Sequence, residues 1–61
     1  MRLYLVESAG YSDEGADLVI AMDKTSAEHK VAKRYDYQVY ACYANEVKEV
    51  DGYEVVIRKK V

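Results

Sequence analysis

The sequence predicts an α+β fold: one helix packed on one face of a four-stranded, mainly antiparallel sheet, in the element order ββαββ. Three observations carry this. Only one stretch, Thr25–Asp36, has helical periodicity, with Ala27, Val31 and Tyr35 recurring at a spacing of four. The stretches on either side are short runs rich in β-branched, aromatic and long apolar residues. Asp51-Gly52 lies between two such runs, and Asp-Gly is favoured where a type I′ hairpin turn needs positive φ at both central positions. With 61 residues the chain is one domain, 1–61. A domain this small buries only about 60% of its unfolded surface, so its stability margin is thin.

Arg2–Glu7 is the first predicted strand, apolar on both faces. Ser8–Gly15 reads as a loop, with a glycine near each end. The spacing of Gly10 and Gly15 is that of a phosphate loop. The required Lys-Ser/Thr is absent, because Ala16-Asp17 follows, and the acidic side chains there would repel phosphate. Ala16–Asp23 is the second strand, in which Leu18, Ile20 and Met22 alternate with Asp17, Val19, Ala21 and Asp23. The two Asp mark the second set as the solvent side. Thr25 and Glu28 have the spacing of a capping box, and Lys33 and Arg34 suit the negative end of the helix dipole. The apolar stripe, widened by Ala32, faces away from His29, Lys30, Lys33 and Arg34. Asp36 closes the helix. Tyr37–Lys48 is the third strand and Tyr53–Lys59 the fourth.

Two hairpins joined by a helix fill two layers. The strand order 2-1-3-4 is preferred, because the first strand reads as interior. The order 1-2-3-4 stays open, and in either case the helical crossover is right-handed. The expected core is Leu3, Leu5, Leu18, Ile20, Met22, Val39, Ala41, Tyr43, Val55 and Ile57 against Ala27, Val31, Ala32 and Tyr35. The parity of the third strand is open, since both of its faces carry Tyr and a one-residue slip exchanges them.

The chain has one Cys and one His, which leaves no internal disulfide and no Cys/His metal framework. Cys42 lies mid-strand and His29 on the other layer, so no nucleophile and base are paired. Asp17 and Asp23 are too far apart on one strand to share a metal or act as a carboxylate pair. The expectation is a non-enzyme with no catalytic, cofactor-binding or metal-binding residues and no cofactor. No stretch is long enough to span a bilayer, and Met1–Val6 is too short for a signal core before Glu7. A cytoplasmic location without membrane contact follows as an expectation. The formal net charge of −2 argues against nucleic acid.

Seven Tyr with no Phe or Trp is an unusual aromatic balance, and Tyr suits half-buried sites and interfaces. On the expected register, the sheet face turned from the helix carries Tyr4, Val6, Val19, Ala21, Tyr40, Cys42 and Val56, ringed by Arg2, Lys48 and Arg58. A solvated antiparallel face normally turns polar, whereas this one stays apolar. Tyr4, Val6, Val19, Tyr40, Val56 and Arg58 are therefore the candidate partner-binding residues.

Leu18-Val19-Ile20-Ala21 leading to Thr25-Ser26-Ala27-Glu28, then Val31-Ala32-Lys33, Val39-Tyr40 and Asp51-Gly52-Tyr53, resembles the pattern of very small ββαββ proteins of phage, prophage and mobile elements. The resemblance covers nearly the whole chain at the level of fold pattern. It implies action by binding a host or phage protein and transfers no functional residue. The function expected is a small protein-interaction module with an unidentified protein partner, or a homodimer. The alternative is a small nucleic-acid-binding domain that uses the sheet face and basic residues.

Overall fold

The computed structural model describes residues 1–10, 14–36 and 39–60, with Val39 and Tyr40 described by their backbone alone. The elements are β1 (Arg2–Gly10), β2 (Glu14–Ala21), α1 (Lys24–Arg34), β3 (Val39–Glu46), β4 (Glu49–Val50) and β5 (Tyr53–Glu54). The fold is α+β. A three-stranded antiparallel sheet of order β2-β1-β3 is accompanied by a small two-stranded sheet, β4-β5. The central place of β1 follows the expectation from its two apolar faces. The expected fourth strand over Tyr53–Lys59 is not formed as such. Its strand is confined to Tyr53–Glu54, although the Val55 amide still donates to the Lys48 carbonyl at 2.9 Å.

The β1–β2 ladder runs from Arg2–Ala21 to Ala9–Glu14. The expected loop Ser8–Gly15 is therefore mostly strand, and its remainder, 11–13, lies outside the described residues. Ser8 is buried opposite Gly15. A Cβ at Gly15 would stand 3.6 Å from the Tyr35 hydroxyl oxygen, an ordinary contact distance, so the Tyr35 hydroxyl lies against the sheet margin at Gly15.

The helix begins two residues earlier than expected. Asp23, in extended conformation, caps it by accepting from the Ser26 amide at 2.7 Å. The expected capping box is absent, because Glu28 reaches to β3 instead. At the other end Lys33 and Arg34 fill the last turn, Tyr35 is the C-cap, and Asp36 turns into the left-handed region with φ 54°. The hairpin turn is as expected, with Asp51 and Gly52 both at positive φ.

The core lies between α1 and one face of the sheet. It holds Tyr4, Val6, Val19, Ala21, Ala27, Val31 and Ala44, with Cys42 packed against it. This reverses the expected parity of β1 and β2. Leu18 and Met22 are exposed, Ile20 is 38% exposed, and Leu3 and Leu5 are half-buried on the opposite face. The reason lies in the two Asp read as solvent markers. Asp17 sits on the helix side at the sheet margin, where it accepts from the Tyr35 hydroxyl at 2.8 Å and meets Arg34 at 3.8 Å. Asp23 caps the helix. Both acids face α1 because both bind it. Small residues at Ala21, Ala27 and Ala44 suit close approach of the helix to the sheet.

Candidate binding surfaces

The Val47 amide donates to the Leu3 carbonyl at 2.8 Å. In an antiparallel ladder, bonded and non-bonded pairs alternate. Leu3, Leu5 and Glu7 therefore bond toward β3, while Tyr4, Val6 and Ser8 bond toward β2. It follows that Ala16, Leu18 and Ile20 turn their backbone groups out along the β2 edge, and Cys42, Ala44 and Glu46 do so along the β3 edge. Each edge has one of these groups held by a helix side chain. Lys30 Nζ donates to the Ile20 carbonyl at 2.7 Å. The Ala44 amide donates to Glu28 Oε2 at 3.0 Å. One helix thus blunts both margins of its own sheet, where open backbone groups invite pairing with another chain.

The candidate residues Tyr4, Val6 and Val19 do not form a contact patch. They are 3%, 0% and 2% exposed and lie beneath α1. The side chain of Tyr40 lies outside the described residues. Val56 and Arg58 are exposed, but they belong to the segment after β5 and not to the three-stranded sheet. The surface that faces solvent is the complementary set. Across it, Leu3 stands opposite Ile20, Leu5 between Leu18 and Asn45, and Glu7 between Ala16 and Tyr43. Leu18 is 63% and Tyr43 66% exposed, and Met22 continues the row past the end of β2. The face is apolar at the end near Leu3 and acidic at the other, where Glu7 and Glu14 border an open hollow of about 490 Å³ beside Tyr43. The signal for this face was already present in the Leu18-Ile20-Met22 alternation.

A second hollow, about 390 Å³, lies at the start of α1 and the β3 edge, lined by Arg2, Tyr4, Asp23, Ala44 and Glu46 among others. Arg2 lies 3.8 Å from Glu46, and the neighbouring Tyr4 hydroxyl and the Glu46 charge raise its pKa. The Asp17 carboxylate raises the pKa of Tyr35 by accepting its proton in a hydrogen bond. Burial, then the nearby Glu28 charge, pushes the Cys42 thiol up, which makes it a weak nucleophile at neutral pH. Among the described residues no group of three or more His, Cys, Asp or Glu is placed to hold a metal ion. No described helix is long and apolar enough to cross a membrane.

No family model, curated protein or solved structure matches this chain.

Proposed function

We propose that this chain is a small, non-enzymatic interaction module that binds a protein through the sheet face opposite α1. It acts in the cytoplasm, in the manner implied by its resemblance to small phage and mobile-element proteins. The observation that supports the reading is the apolar character of that face, with Leu18, Met22 and Tyr43 largely exposed and adjoining Leu3, Leu5 and Ile20. Contiguous apolar surface of this kind on a small domain marks contact sites. Tyr43, at the border between the apolar and acidic ends of the face, is suited to such a contact because its ring covers a large area with few rotors to immobilise. A homodimer through the same face is the self-complementary form of this reading. The working sheet takes a fourth strand beyond β3, in the order 2-1-3-4.

The double variant Leu18→Ser plus Tyr43→Ser tests the proposal. Its thermal melt is expected to match the parent, since neither side chain lies under α1, while self-association in sedimentation equilibrium or capture of the partner is lost. A variant that melts normally and keeps every association would remove the face from consideration. Nucleic-acid binding is the competing reading. Arg58, Lys59 and Lys60 are exposed, but Glu7 and Glu14 flank Tyr43 and would repel a phosphate backbone. Salt-sensitive binding of single-stranded RNA or DNA would favour that competitor, and silence at low salt would exclude it.

A further inference from the structure

The β4–β5 hairpin sets a register that its strands do not use to the end. Val50 pairs with Tyr53 and Glu49 with Glu54, and the Val55 amide bonds to Lys48. Carried on residue by residue, this register places Val56 beside Val47, Ile57 beside Glu46, Arg58 beside Asn45 and Lys59 beside Ala44. Lys48–Val55 is a bonded pair, so Glu46–Ile57 and Ala44–Lys59 fall in the bonded phase. Those are the β3 residues whose N–H and C=O groups point outward. Among the described residues, no backbone bond joins Val56–Lys60 to β3, and Arg58, Lys59 and Lys60 are exposed.

We propose that the outer edge of β3 is a strand-docking surface whose occupant is the chain's own segment Val56–Lys60, with Glu28 holding the edge when that segment is away. Three features support it. The register meets the outward groups in phase. Lys59, on the α1 side of Ala44, arrives beside Glu28, so the carboxylate exchanges the Ala44 amide for an ammonium partner while the Lys59 carbonyl takes over the amide. Ile57 arrives on the α1 side beside Glu46, at the hollow lined by Arg2, Tyr4, Ala44 and Glu46, to which no residue of the segment contributes a wall. Docking also brings Val56 and Arg58 onto the sheet face that carries Tyr43, next to Val47 and Asn45. The inference deepens the four-stranded reading above and does not depend on whether the apolar face binds a partner.

The full-length variant Cys42→Ser, Asn45→Cys, Arg58→Cys provides the test. Asn45 and Arg58 form a non-bonded pair, whose Cα atoms approach to roughly 4.5 Å, within reach of a disulfide. The expected product on oxidation is a monomer with an internal disulfide. The control, in which Ile57 instead of Arg58 becomes Cys, presents its thiol on the opposite face and is expected not to close. A disulfide that joins two molecules would make a second copy the occupant and overturn the proposal. Equal closure of both variants, or closure of neither, would overturn it as well. In case the variants do not fold, the unmodified protein provides a second reading: a close Hα–Hα contact between Asn45 and Arg58 in its NMR spectrum. Its absence counts against docking.

Discussion

Asp23 closes the start of α1 through the Ser26 amide, and that bond makes the cap sensitive to acid. The backbone and side-chain hydrogen bonds with Ser26 lower the Asp23 pKa below its ordinary 3.8. A carboxylate lowered in the folded state stabilises fully above its ordinary value, and that contribution is lost as pH falls through the lowered one. Asp23→Asn, which keeps an acceptor but does not titrate, is expected to flatten the melting temperature in that acid window. Asp23→Ala is expected to lower it by a few degrees at neutral pH, where the cap is missing altogether. Tyr4 presents the opposite case, a ring buried beneath α1. Tyr4→Ser leaves a cavity of the kind that costs roughly 3–5 kcal/mol, most of the margin of a small domain. Tyr4→Phe keeps the ring and is expected to melt close to the parent in urea.

At the scale of the element, α1 has two tasks, and different faces carry them. Ala27 and Val31 are fully buried against the sheet. Val31→Asp places an unpaired carboxylate there and is expected to abolish the cooperative melt. Lys30 and Glu28 reach past the core to opposite sheet margins. The sequence suggests a Lys30 that only faces water, but its ammonium also satisfies the Ile20 carbonyl. Lys30→Met is therefore expected to cost about 1 kcal/mol and to raise association through the β2 edge. Equal melts for Lys30→Met and its parent, with no change in sedimentation, would remove the edge-holding role. The helix is legible in the sequence because Ala27 and Val31 repeat at the helical period. Its cap was not legible, because Asp23 and Thr25 both precede a possible first turn, and the choice depends on where the strand releases the chain.

For the whole molecule, the two sheet faces predict opposite responses to the same chemical change. Removing Tyr43 and Leu18 from the open face leaves the fold and tests binding, whereas removing Tyr4 from the covered face tests the fold. By itself the sequence determined the α+β class, the single helix between strand runs and the type I′ turn at Asp51-Gly52. Each of these is set by local chemistry: periodicity at Ala27 and Val31, short apolar runs on either side of them, and tolerance of positive φ at Asp-Gly. The two apolar faces of Leu3–Val6 favoured a central β1 but left the order 1-2-3-4 open, and the tertiary pairing β2-β1-β3 decided it. Which face of the sheet lies under α1 was decided only by tertiary structure. Both faces of β1 are apolar, so alternation alone cannot choose between them, and the choice falls to contacts between distant residues. Asp17 turns to the helix side because Tyr35 and Arg34 wait there, and Ala21 and Ala44 follow on the same side because the ladder locks alternate residues to one face. The end of β3 pairing was likewise beyond the sequence. Val55–Lys59 alternates as a strand should, yet the outward amide of Ala44 is taken by Glu28, a residue sixteen positions away that the helix brings to the edge.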